Sequence, residues 1–198
     1  VEPYASSACE MVAEVLQYIG DDGIKIKPAE ADAMYAGIVI DTNNFMNQAG
    51  VRTFEAAAFL RRNGADVVRV RKLFRDRLED YRARAEAIQK AEIYHGAFAI
   101  SVCPSEGLES PTVVGAQAAN ELLDIVGIKA SFILTQMGDT IYFSARSIDE
   151  INVQIIMERL GGGGHRTIAG AQLKGATIDE AREKLKDLIT DMMEKGEI

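Results

Sequence analysis

Apolar positions recur with helical spacing near both ends of the chain and with strand spacing through much of its second half. Val12, Val15, Leu16 and Ile19 follow Ser7 and Glu10. Those last two stand at a capping-box spacing, which predicts a helix from Ala8 to Ile19. The segment Gly20 to Gly23 is expected to stop it. Residues 35–40, YAGIVI, form a short apolar run that suits a buried parallel strand, with the polar loop DTNNFMNQAG after it. A second helix is expected from Thr53 to Arg62, ending at Asn63-Gly64, and the alternation of helix, strand and helix is an α/β signature. Asp66 can cap a long helix from Val67 to Ala91 whose dense mixed charge reads as a solvated face or as a partner surface.

From Ile93 the pattern changes. IYHGAFAISVC, KASFILTQ and TIYFSARS read as strands, the last two joined by a hairpin turn at Met137-Gly138-Asp139. VVGAQAANELLDIVG and NVQIIMERLGG read as helices, and Thr177 with Glu180 caps a last amphipathic helix through Ala181, Leu185, Leu188 and Met192. The expected organisation is a domain portion at 1–65, a connector helix at 66–91 and a smaller α+β domain at 92–198.

With 47% of its 198 residues hydrophobic, the chain can bury one large core or two modest ones, and two domains are expected. The net charge of -8 disfavours tracking of long nucleic acid, which relies on many phosphate contacts. A small anionic ligand held by a few donors remains open. Cys9 and Cys103 lack metal-type spacing and suggest no disulfide framework, which points to a reducing, cytoplasmic setting. No apolar stretch approaches the roughly 20 residues of a membrane span, so no membrane contact is expected of this segment. The chain begins VEPYASS rather than with Met, in what reads as the end of a strand, and is expected to be an excerpt of a longer protein.

Two features carry candidate chemistry. Asp41 directly follows GIVI, and at a strand's carboxyl end it could bind a divalent cation with Thr42, Asn43 and Asn44 around it. It could equally be a loop-capping aspartate. The second feature is LGGGGHRTIAG, in which the four glycines end one helix and HRTIAGAQL is expected to begin another. Free N–H groups of Gly162, Gly163 and Gly164 and of a helix N-terminus would then converge on an anion. The run is a ligand cradle or a hinge, since a helix cap needs only one glycine. His165 could donate to a phosphate oxygen or transfer a proton. Arg146, Ser147 and Asn152 add a fork of donors and neutral hydrogen-bonding groups, although an arginine at a strand end is commonly just solvated. His95, in an apolar segment, is assigned no role.

Together these residues resemble the DHH family of phosphoesterases and its associated C-terminal domain. GGGGHRTIAG is similar to the family's GGGH-x-x-A-A-G signature, AGIVIDTNNF to the motif carrying its last aspartate metal ligand, and VEPYASSACE to the segment after the Asp-His-His motif. The wording of SARSIDEINVQIIMERLGGGGH is closest to the cyclic-di-AMP phosphodiesterases of the GdpP type. The resemblance implies the C-terminal part of a parallel-sheet DHH domain, then the long connector helix, then a smaller substrate-binding domain with a mixed sheet. It also implies a dinuclear manganese phosphodiesterase that opens cyclic di-AMP to pApA, with Asp41 as metal ligand. Gly162, Gly163, Gly164 and His165 would hold the substrate's phosphate or nucleoside, with Arg146, Ser147 and Asn152 beside them. A homodimer, and membrane anchoring by upstream segments, are family expectations.

Two departures stand out. Ile168 replaces a small residue, and the upstream His-x-x-x-Asp-x-Asp and Asp-His-His motifs are absent from these residues. This chain alone is therefore expected to be inactive. A phosphatase for short oligonucleotides or phosphoadenosine phosphates would use the same glycines, as would a nucleotide-binding module without chemistry. A purely structural interaction domain leaves the glycines unexplained.

Overall fold

The computed structural model describes residues 4–19, 25–148 and 150–198, and the chain divides into two compact units, Val1–Arg75 and Asp76–Ile198. The expected stop at Gly20 to Gly23 and the first three residues of VEPYASS lie outside the described residues.

Among its described residues the first unit is wholly helical: α1 (Ala8–Ile19), α2 (Pro28–Asp41), α3 (Val51–Arg62) and α4 (Val67–Leu73). Ala13, Ala31, Ile38, Ala56, Leu60 and Ala65 form its core. Half of the expected capping box forms at α1, where Ser7 Oγ accepts from the Glu10 N–H at 3.0 Å. The Glu10 carboxylate turns elsewhere, accepting from the Ser6 N–H at 3.2 Å and from Thr53 Oγ1 at 2.6 Å. The strand expected at residues 35–40 is instead the second half of α2. A short apolar run does not distinguish helix from strand, and the flanking sequence decides. Pro28 occupies the first turn, Glu30 reaches back to the Lys27 N–H at 2.9 Å, and the alanine-rich stretch between favours continuous helix.

The long helix expected from Val67 to Ala91 is two helices, α4 and, in the second unit, α5 (Leu78–Gln89). Asp66 caps the first as anticipated, accepting from Val68 N at 2.7 Å and Arg69 N at 3.0 Å. No glycine or proline marks the break. The cause is tertiary: Arg84, 8% exposed, takes Asp76 at 2.6 Å and Glu121 at 2.6 Å. A buried guanidinium left without its partners costs several kcal/mol.

The second unit adds β1 (Glu92–Tyr94), β2 (Phe98–Cys103), α6 (Pro111–Leu122), β3 (Ala130–Met137), β4 (Thr140–Ser147), α7 (Val153–Arg159), β5 (Gly163–Gly164), β6 (Ile168–Lys174) and α8 (Ile178–Glu194). Its sheet is mixed, in the order β1-β2-β3-β4-β6-β5, with β2 and β3 parallel across the α6 crossover. Phe132, Leu134, Ile141, Phe143 and Ala145 pack one face of the sheet against residues of α7 and α8. Ala99, Cys103 and Ile133 pack the other face against α5 and α6. The hairpin at Gly138 forms as anticipated, with Met137 opposite Thr140, and Thr177 with Glu180 makes a complete capping box for α8. No helix among the described residues is long and apolar enough to cross a membrane.

Candidate functional site

The glycine run begins as a helix cap. Gly161, at φ 81°, follows the last turn of α7, and its N–H bonds to Glu158 O while the Gly162 N–H bonds to Met157 O, both at 2.9 Å. This pair of bonds is a Schellman motif, and it consumes the first glycine for the left-handed position. Gly162 is required for a different reason. A Cβ there would lie 2.0 Å from Gly170 O and 2.6 Å from Ala171 Cα, so the backbone just ahead of β5 comes too close to β6 for a side chain at this position.

The segment after the glycines is not a helix. HRTIAGAQL turns back at 165–167 and runs as β6, with Gly163 opposite Gly170 and Gly164 opposite Ala169. The alternation in β6 explains this: Ala169 and Ala171 point into the core, while Ile168 and Gln172 are exposed. The anion cradle expected at a helix N-terminus is therefore replaced by a hairpin floor. His165 lies in the turn, where its backbone N–H and C=O both pair with Ile168 at 2.7 and 3.3 Å. Its imidazole is exposed. The turn is tied to the rest of the domain by Ser147 N to Thr167 O at 3.0 Å and Val153 N to Arg166 O at 2.9 Å.

On the face opposite α7, the registers align Ser144, Gly170 and Gly163 across three strands. Two of these residues have no side chain and the third has a small one, so the sheet presents a lane of nearly bare backbone. A Cβ at Gly163 would meet nothing within 4 Å, unlike one at Gly162, so the fold does not require a glycine there. α6 packs on β3 and β4 and walls the lane on one side. A cavity of about 370 Å³ opens beside it, bounded by Thr112, Tyr142, Ser144, Gly162, Gly170 and Gln172.

Arg146 stands on the same face as Ser144, one strand repeat along. Its Nε donates to Asn120 Oδ1 at 3.1 Å and one terminal nitrogen to Ala145 O at 2.9 Å. It is half-buried, has no carboxylate partner among the described residues, and burial pushes its pKa below the usual arginine value. A desolvated guanidinium lacking a counter-charge is an anion receptor.

Ser147 goes elsewhere. Its side chain is on the core face, 7% exposed, and its hydroxyl donates to Ile151 O at 2.7 Å. Asn152 caps α7, its Oδ1 accepting from Gln154 N at 3.1 Å. His95 is not in a strand but in the β1–β2 turn at φ 46°, with Nε2 3.2 Å from Thr190 Oγ1. In the first unit, Asp41 is the exposed last residue of α2, not a residue following a strand. The three residues Asn43, Asn44 and Phe45 all have left-handed backbones, at φ 45°, 58° and 65°, anchored by buried Thr42, whose Oγ1 donates to Ile38 O at 2.6 Å and accepts from Phe45 N at 2.9 Å. Such a run is strained and holds the helix end in one shape. No group of three or more His, Cys, Asp or Glu side chains that could hold a metal occurs among the described residues. One carboxylate is not a donor set for two ions.

Residues 97–191 match the DHHA1 domain. The chain as a whole is 45% identical over 197 residues to the cyclic-di-AMP phosphodiesterase GdpP of Geobacillus thermodenitrificans, covering 99% of this chain and 30% of that protein. It is 44% identical over 198 residues to the GdpP of Bacillus subtilis, again covering 99% of this chain and 30% of the relative. The chain thus spans 30% of the length of these curated relatives and matches their C-terminal part. The likeness to DHH phosphoesterases read from the glycine signature holds. Among solved structures, an exopolyphosphatase-related protein from Bacteroides fragilis superposes with a TM-score of 0.82 at 21% identity, over 96% of this chain and 58% of that one, a likeness of fold.

Tyr142, Ser144, Gln172 and Thr112 were not singled out by sequence reasoning. The signal for the first two was present, because period-2 alternation in TIYFSARS places Tyr142, Ser144 and Arg146 on one face. Nothing local in the sequence marks Thr112, which reaches the cavity through the α6 crossover.

Proposed function

We propose that this chain is the substrate-holding, C-terminal part of a manganese-dependent phosphodiesterase that opens cyclic di-AMP to pApA. The observation that carries the proposal is Arg146, desolvated and without a carboxylate partner among the described residues, at one end of a lane of bare backbone. Similarity along the whole chain to relatives named as cyclic-di-AMP phosphodiesterases supports it. Arg146 would fork onto phosphate oxygens, and the absence of side chains at Gly163 and Gly170 would let the sugar-phosphate lie against the sheet. The donors among the described residues do not make up a dinuclear site, so Asp41 would supply one ligand and the remaining ligands would come from elsewhere in the protein. The proposal includes a homodimeric parent, anchored to the membrane by upstream segments.

On this reading the chain binds and does not turn over. Calorimetric titration with cyclic di-AMP and pApA should show binding that Arg146→Ala weakens about tenfold or more, as expected for loss of a charge-assisted contact. His165→Ala should weaken it as well. A manganese-supplemented turnover assay should show no product. Robust hydrolysis by this chain refutes the division of labour, and unchanged affinity in Arg146→Ala refutes the anion reading.

A further inference from the structure

The lane has two chemically different ends. At one end stands the charged Arg146, and at the other lies the cavity. Tyr142 and Gln172 are directly opposite each other on β4 and β6, and Thr112 faces them from the first turn of α6. No residue bounding the cavity carries a charge. The Tyr142 hydroxyl and the Gln172 amide have no hydrogen-bond partner among the described residues. Arg146 lies four positions along the same strand from Tyr142, about 13 Å at the ordinary strand rise.

Neutral donors and acceptors beside an aromatic ring suit a nucleobase, and a guanidinium without a carboxylate partner among the described residues suits its phosphate. The span between them is one that a single nucleotide can bridge, with its sugar over Ser144 and Gly170. Cross-strand partners have Cβ atoms about 5 Å apart, so a base stacked on the Tyr142 ring would present its edge to the Gln172 amide. A primary amide presents a carbonyl acceptor and an N–H donor side by side. When the base turns its Hoogsteen edge to the amide, adenine's N6 amine and N7 match it, whereas guanine presents two acceptors there, O6 and N7, and satisfies half of it.

We propose that Tyr142 and Gln172 form the nucleobase-reading end of the site and that Gln172 sets a preference for adenine over guanine. This rests on the phosphate-binding reading of Arg146. It assigns specificity to a side chain outside the glycine signature.

The test is a titration of the full chain with the linear dinucleotides pApA and pGpG. The wild type should prefer pApA. Gln172→Ala should reduce the ratio of affinities by about 5- to 100-fold, the range of one bidentate base contact. Tyr142→Ala should weaken both ligands by about 5- to 100-fold, and Tyr142→Phe should retain the stacking and most of the affinity. Arg146→Ala should weaken both equally and leave their ratio alone. A wild type without adenine preference, or a ratio unchanged in Gln172→Ala while Arg146→Ala still weakens binding, overturns this inference alone. A wild type that binds neither dinucleotide overturns the phosphate reading and this inference with it. Gln172 is exposed, so a thermal melt identical to wild type checks that its variant remains folded.

Discussion

Two neighbouring glycines should respond to the same substitution with opposite signs. An alanine at position 162 would put its methyl carbon 2.0 Å from the Gly170 carbonyl oxygen and 2.7 Å from the Ala171 Cβ. Two of the three nearest atoms are backbone within a paired strand, so the strain cannot be relieved by a rotamer change. Overpacking of this kind costs about 1–3 kcal/mol or more. At roughly 3–6 °C per kcal/mol for a unit of this size, the second unit should melt on the order of 10 °C lower. An alanine at position 163 meets nothing within 4 Å, and the position lies outside the left-handed region. It should leave stability unchanged or raise it by about 0.4–1 kcal/mol through the reduced entropy of the unfolded chain. The new methyl would nonetheless stand in the bare lane and weaken binding of pApA. Differential scanning calorimetry and a binding titration on both variants separate the two effects. Gly163→Ala melting as low as Gly162→Ala, or binding like wild type, refutes the distinction between a glycine kept for packing and one kept for the ligand.

Ser147→Ala should cost about 1–3 kcal/mol by leaving the buried Ile151 carbonyl without its donor, with nucleotide affinity unchanged; a chemical denaturation curve and a titration check both parts. Acid should weaken the first unit. The Asp32 pKa is held below the ordinary carboxylate value by its bond from Arg69 and then by the Asp66 N–H, so its contribution is complete above about pH 4, the unfolded value, and is lost as pH falls through the lower folded value. Urea unfolding at pH 7 and pH 3 should show this loss, and Asp32→Asn should lose stability at pH 7 while flattening the profile. Burial, and to a lesser degree Glu86, pushes the Cys103 thiol up to about 11. Cys103 should resist alkylation at pH 7.5 until the domain unfolds, and mass spectrometry of labelled peptides reads this directly.

Legibility in the sequence followed how local each signal was. The helices α1, α6 and α8 and the β3–β4 hairpin were readable because their caps, turn residues and periodicities lie within a few positions of one another. The run at residues 35–40 is the end of a 14-residue helix rather than a strand because the alanine-rich stretch before it carries the helix through. The long helix failed at Phe74 because Arg84 and its carboxylate partners, Asp76 and Glu121, become neighbours only on folding. Residue type alone marks Arg146 and Gly163, and the strand registers bring both to one face of the sheet. Ser147 was misplaced by a single step, and in a strand one step is the difference between the ligand face and the core.

The strand β5 is two residues long and ends the sheet on one side, and β1, three residues long, ends it on the other. An outermost strand displays unpaired amides to any passing polypeptide and templates its addition. Two or three residues give a foreign strand almost no ladder to zip along, so the rim that leaves backbone bare for a ligand does so without seeding self-association. Straightening the turn at 165–167 into a longer β5 would remove that protection, and the same exposed amides would become a nucleus for fibrils.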